Sequence, residues 1–267
     1  MDARQPIGIF DSGIGGLTIA SAIHRLLPEE SIIYFGDTAH LPYGEKSHDA
    51  IRYYSLRICN FLLENKCKAI VVACNSASTA AYEILLEFFE KKAIFVNVVD
   101  PLIAAANKLN IKRIGLIATH ATVQSGVYQK VFHQSNPDIA VSALATPLLA
   151  PMIEEGFVNN TISHSVIENY LSDPQLVDIE ALLLACTHYP LIKKEIETFY
   201  NQQIPVMDST VVTAEQLKKK LEERNLLNLK KEKLDHFYVS DYSENFANAT
   251  KLFYPENITL ELRNIWS

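Results

Sequence analysis

The sequence predicts an α/β protein built from two similar parallel-sheet domains, related by a pseudo-twofold axis, with the active site in the cleft between them. Two observations carry this. Short apolar runs rich in Ile and Val alternate with longer stretches of helical period, as buried parallel strands joined by crossover helices do. The chain also repeats its own motifs, in order and at nearly constant offset, which marks an internal duplication.

The strand-like runs cover residues 7–10, 31–35, 69–73, 94–99, 113–118, 139–144 and 181–185. Helical periods cover 17–27, 47–65, 78–92, 123–134, 159–171 and 191–200. Their alternation makes βαβ units, with helices on both faces of each sheet. The repeat pairs IGIFDSGIGG from Ile7 with IGLIATHATV from Ile114, and IIYFGDTAHLPYG from Ile32 with VSALATPLLAPMIE from Val141. It also pairs the cysteines of VVACNSAS (Cys74) and LLACTHYP (Cys186), and the aspartates of VNVVDP (Asp100) and IPVMDS (Asp208). The offsets are 107, 109, 112 and 108 residues. Asp100-Pro101 and Asp208-Ser209 read as helix caps, with Pro101 at the first helical position. Residues 210–267 read as helix, strand, helix and strand, with strands at 235–239 and 258–262. Their simplest home is the first half. The expected domains are therefore 1–99 plus 210–267, and 100–209, with a close interface because no Gly/Ser linker separates them.

Composition bounds the function. The chain has 267 residues, 48% hydrophobic and 21% charged. That is a globular composition of one or two domains. A formal net charge of -7 gives no basic excess for a phosphate backbone, so nucleic acid is not an expected partner. No apolar run reaches the ~18 residues of a membrane span. The start, MDARQPIGIF, is not a signal peptide, since Asp11 follows before a long apolar run forms. The sequence reads as a soluble cytoplasmic protein with a small-molecule substrate. Four cysteines are too few for a disulfide scaffold. Neither CxxC nor HExxH occurs, so no metal site is expected. Cys59 and Cys67 lie in or after a helix and read as packing residues.

Ligands of open parallel sheets bind outside the carboxyl ends of the strands. The polar clusters there are Asp11-Ser12, Pro42-Tyr43-Gly44, Cys74-Asn75-Ser76, Thr119 with Thr122, and Cys186-Thr187-His188. Two cysteines at equivalent positions of a repeat are the sharpest feature. Each follows a buried run and precedes a helix, whose free N–H groups and positive end lower a thiol pKa from its usual ~8.5. Two thiols facing one cleft suit proton removal from one face of a carbon and proton return to the other. Asp11 is expected within reach of Cys74, and His188 and Glu154 on the Cys186 side. Other chemistries lack their motifs. GIGG at 13–16 is not GxGxxG, because position 18 is Thr18. There is no GxSxG elbow, no Walker loop, and no lysine in the five clusters for a pyridoxal Schiff base. The stretch from Leu217 to Leu234, LKKKLEERNLLNLKKEKL, reads as a solvated helical face, and Trp266 carries no signal.

FDSGIGGLT, GDTAHLPYG, ACNSAS and ACTHYPL together resemble the bacterial glutamate racemase family, over about residues 7–209 with a family-like tail. The resemblance implies cofactor-free interconversion of L- and D-glutamate, with D-glutamate supplied to peptidoglycan. It implies that Cys74 takes the α-proton of D-glutamate and Cys186 that of L-glutamate, assisted by Asp11, Glu154 and His188. It implies substrate contacts at Asp11, Ser12, Tyr43, Gly44, Asn75, Ser76, Thr187 and His188, and a homodimer. The chain departs from the family at Ser76, usually Thr, and at Thr146-Pro147, often Cys-Pro. Only six residues precede the first strand, so the long N-terminal extension of members regulated by a cell-wall precursor is not expected. The alternative is a racemase of the same superfamily acting on aspartate or a hydantoin. A non-catalytic amino-acid-binding relative would be expected to lack a thiol or Asp11.

Overall fold

In the computed structural model, which describes residues 1–266, the apolar runs become two parallel sheets. The first holds β1 (Ile7–Asp11), β2 (Ile32–Gly36), β3 (Ala69–Val72), β4 (Ile94–Asn97), β9 (His236–Val239) and β10 (Leu260–Leu262). Its order is β10-β9-β2-β1-β3-β4. The second holds β5 (Arg113–Ala118), β6 (Ala140–Ala145), β7 (Ala181–Ala185) and β8 (Val206–Asp208), in the order β6-β5-β7-β8. All residues of β1 to β4 and β7 are buried, as strands covered on both faces must be.

The duplication is visible in the ladders. β2-β1-β3-β4 and β6-β5-β7-β8 are the same arrangement, one half-chain apart. Ile7 pairs with Ile32, and Ile114 with Val141, so the first two motif matches fall in register. The fourth match does not. Val72 pairs with Asn97, and Leu184 with Asp208. The counterpart of Asp208 is therefore Asn97, three residues before the expected Asp100. Chemistry agrees with register. Asn97 Oδ1 accepts from the N–H groups of Val99 and Asp100 at 2.9 and 2.8 Å. Asp208 Oδ1 accepts from Thr210 N–H at 3.0 Å. Each last-strand residue caps the helix that follows: α4 (Val99–Ala106) and α10 (Thr210–Glu223). Asp100 is not the cap and Pro101 is the third residue of α4, which corrects the expectation. A Pro there costs nothing, because the first-turn N–H groups have no intrahelical acceptor.

Helices cross between the strands: α1 (Leu17–Leu26), α2 (His48–Glu64), α3 (Asn75–Phe89), α5 (His120–Gln124), α6 (Val127–Ser135), α7 (Leu149–Glu154), α8 (Thr161–Leu171), α9 (Lys193–Phe199) and α11 (Glu244–Phe253). α3 begins three residues before its apolar period suggests, directly at Cys74. The helical period over 123–134 is broken into α5 and α6 by Gly126, whose φ of 63° is a left-handed conformation that glycine adopts without penalty. The expected polar stripe from Leu217 is helical only to Glu223, and its Leu217 and Leu221 are buried. α10 packs on α1 and β4, so the tail joins the first sheet. One apolar cluster carries Ile9, Ile19 and Leu217 together with Leu184 and Ile196, which gives the two sheets a shared core.

Candidate active site

Cys74 is the cap residue of α3, with extended φ and ψ of −68° and 125°. Cys186 follows β7 and precedes a short 3-10 turn, Tyr189–Ile192, before α9 begins. Both thiols line one cavity of about 280 Å³. Every predicted site residue except Asp11 lines it as well: Ser12, Tyr43, Gly44, Asn75, Ser76, Glu154, Thr187 and His188. The larger cavity of about 490 Å³ near α8 and α9 holds no cysteine.

On the Cys186 side the groups form a chain. His188 Nδ1 lies 3.6 Å from Cys186 Sγ, and His188 Nε2 lies 2.8 Å from Glu154 Oε1. The ring is held by its neighbours. Phe253 of α11 packs edge-on at 5.3 Å between centroids. On another side lies Gly15, where a Cβ would come within 2.4 Å of the imidazole, so this position must be glycine. Burial disfavours the imidazolium, yet the hydrogen bonds to Cys186 and the Glu154 carboxylate raise the His188 pKa well above its ordinary value. The imidazole is buried between a thiol and a carboxylate, on the Cys186 side as the sequence suggests.

On the Cys74 side the thiol donates to Ser12 Oγ at 3.7 Å. Asp11 is fully buried behind Ser12. Its carboxylate accepts from Gly13 N–H at 3.1 Å and from Thr187 Oγ1 at 3.5 Å. Burial raises its pKa, opposed by the His188 charge and the Gly13 and Gly16 amides. The Asp11 charge acts on Cys74. Burial first, and then Asp11, push the Cys74 thiol up to about 12, against the Ala77 amide and the Ser12 hydroxyl. This corrects the expected lowering at a helix N-terminus. The buried sulfur loses more hydration than the end of α3 returns.

The cavity wall crosses between the two sheets. Ser76 Oγ lies 2.9 Å from Thr119 Oγ1 and 3.4 Å from Thr122 Oγ1. Tyr43 donates to Asp37 Oδ2 at 2.6 Å, and Asp37 also accepts from Ser240 Oγ at 2.7 Å. Leu41, Ala150 and Pro151 are also among the lining residues and went unforeseen, because apolar lining looks like core in a sequence. Asp37 was findable, since it too directly follows a strand. Among the described residues no His/Cys/Asp/Glu group is arranged to hold a metal ion, and no helix is long and apolar enough to cross a membrane.

A duplicated α/β fold with a thiol from each half lining one cavity places the protein among the amino-acid isomerases. The chain belongs to the Asp/Glu/Hydantoin racemase family, whose profile matches residues 17–217. Within it, the chain is 40% identical over 258 residues to the glutamate racemase of Chlorobaculum parvum, covering 95% of this chain and 93% of that protein. The crystal structure of Francisella tularensis glutamate racemase in complex with D-glutamate superposes with a TM-score of 0.93, at 37% identity and 99% coverage of both chains. That of the Thermus thermophilus enzyme in complex with β-chloro-D-alanine gives 0.88, at 38% identity and 98% coverage of both.

Proposed function

We propose that this protein is a cofactor-independent glutamate racemase that uses Cys74 and Cys186 as its two acid–base groups. The single observation that carries the reading is that both thiols line one small cavity from equivalent positions of the two halves. The similarity to a racemase crystallised with D-glutamate supports the substrate. In this reading the enzyme comprises two domains, 1–99 with 210–267 and 100–209. It is a cytoplasmic homodimer that supplies D-glutamate for peptidoglycan.

The chemistry follows from the charges. The high Cys74 pKa keeps that sulfur as a thiol, the acid of the pair. His188 Nδ1 faces the Cys186 sulfur at 3.6 Å, and its hydrogen bonds to Cys186 and Glu154 raise its affinity for a proton there against the cost of burial. From L-glutamate, the Cys186 thiolate takes the α-proton while the Cys74 S–H bond breaks to protonate the opposite face of the carbon. D-glutamate leaves with Cys186 as thiol and Cys74 as thiolate. The reverse reaction exchanges the roles. Asp11 assists Cys74 through the Ser12 side, and Glu154 holds the His188 charge. Backbone amides and hydroxyls at Ser12, Tyr43-Gly44, Asn75-Ser76 and Thr187-His188 hold the carboxylates and the ammonium.

The test is incubation of purified protein with L-glutamate in D2O, without pyridoxal phosphate, under reducing conditions. Optical rotation decays to zero while deuterium replaces the α-proton. A response to L-aspartate alone would move the substrate assignment. Activity that requires added pyridoxal phosphate would overturn the cofactor-free mechanism.

A further inference from the structure

Tyr128 lies on α6, in the half of the chain that carries Cys186, and is fully buried. Its hydroxyl lies 2.7 Å from Oδ1 of Asn75, the first residue of α3 in the other half. Asn75 follows Cys74 and lines the cavity, and is itself 3% exposed. Its Nδ2 has no hydrogen-bond partner within the described protein. A buried amide donor without a partner is rare and costly, so this one is available for a ligand.

Which end of an amide faces a ligand is fixed by its other partner. Burial raises the Tyr128 pKa, so the hydroxyl keeps its proton, and Asn75 Oδ1 is the acceptor beside it. With the amide oxygen occupied, the unpartnered NH2 group is the end left for a ligand in the cavity that Asn75 lines. The reverse orientation would turn an acceptor toward a substrate that carries two carboxylates. Gly126, at the left-handed junction before α6, sets the turn from which Tyr128 enters.

We propose that Tyr128 is a positioning residue: across the domain interface, its hydroxyl holds the Asn75 amide so that Nδ2 donates to a substrate carboxylate. The inference rests on the glutamate racemase reading above. It also makes substrate binding depend on contact between the halves, since the amide is ordered only while α6 and α3 are together.

Steady-state kinetics in both directions, with D-glutamate binding by calorimetry, test it on Tyr128→Phe, Asn75→Ala and the double variant. Loss of one buried hydrogen bond predicts a roughly tenfold rise in KM and in the D-glutamate dissociation constant, with kcat changed far less. In the Asn75→Ala background, Tyr128→Phe adds nothing further. Replacement of Tyr128 by p-aminophenylalanine, which keeps a donor, holds KM near wild type even if the Phe variant folds poorly. Additive effects in the double variant, an unchanged KM in Tyr128→Phe, or no rescue by the amine overturns the inference alone. Wild-type protein that neither turns over nor binds glutamate overturns the functional reading and this inference with it.

Discussion

At the scale of single residues, the two thiols are equivalent by symmetry but not by surroundings. Cys74 faces a hydroxyl and, behind it, a buried carboxylate; Cys186 faces an imidazole backed by a carboxylate. Symmetry predicts that Cys74→Ser and Cys186→Ser each lose racemisation in both directions, by roughly 10³-fold or more, within the span of positioned acid–base catalysis. The surroundings predict what survives. Cys186→Ser retains elimination of HX from a β-substituted D-substrate and Cys74→Ser from its L-enantiomer, read as release of the halide. Full racemase activity in either variant would sink the two-thiol mechanism. His188 gives a pH prediction. Its folded pKa is raised, so the folded state binds its proton more tightly than the unfolded chain does. The stabilisation is complete below the unfolded value of ~6.5 and fades as pH rises through the folded value. The Tm difference between wild type and His188→Gln therefore shrinks as pH is raised from about 6. A gap that widens on raising the pH contradicts the charged imidazole.

At the scale of elements, strands were legible and helix ends were not. A strand covered on both faces has to be apolar along most of its length, and residues 7–10 of β1 or all five residues of β7 declare it. Helix starts depend on which polar group accepts the first-turn N–H bonds, and this is decided in space. Asn97 and not Asp100 serves α4. Cys74 rather than Ser78 opens α3. The break at Gly126 was hidden because Val123, Val127 and Val131 keep a helical period straight through it. That junction offers a clean measurement of backbone strain. A Cβ on Gly126 meets no atom within 4 Å, so Gly126→Ala adds no clash and pays only for its positive φ. The expected loss is about 1 kcal/mol or somewhat more, a fall of roughly 2–4 °C in Tm for a chain of this size. An unchanged Tm shows that the turn relaxes.

At the scale of the molecule, the motif repeat made both sheets and the shared cleft readable, because a duplication places equivalent residues at equivalent strand ends. Seated by elimination alone, the tail proved more than a filler. Its Phe253 supports the His188 ring and its Ser240 holds Asp37 behind Tyr43, while Trp266 packs on His40 and Tyr54. No local pattern announces such contacts, which join residues from 65 to more than 200 positions apart.

What fastens the tail is a buried ion pair that composition alone would have placed on the surface. Lys68 Nζ meets Glu30 Oε2 at 2.6 Å with both side chains buried. It also donates to the carbonyls of Leu226, at 2.9 Å, and of Ala3. Glu30 Oε1 in turn accepts from Asn228 N–H at 2.9 Å. N-terminus, first sheet and tail therefore converge on one ammonium. Two charges in such a place gain little over apolar replacements, but one charge left alone is expensive. Lys68→Met is expected to cost about 3–5 kcal/mol in urea unfolding, because it strands the Glu30 carboxylate and frees two carbonyls. Adding Glu30→Gln removes the stranded charge and keeps an acceptor for Asn228, so the double variant regains part of that loss. Amide exchange in β9 and β10 tracks the same order, fastest in the single Lys68 variant, since those strands hang on the loop that Lys68 holds. A double variant no more stable than Lys68→Met would mean that packing of the lysine stem, and not the charge, secures the tail.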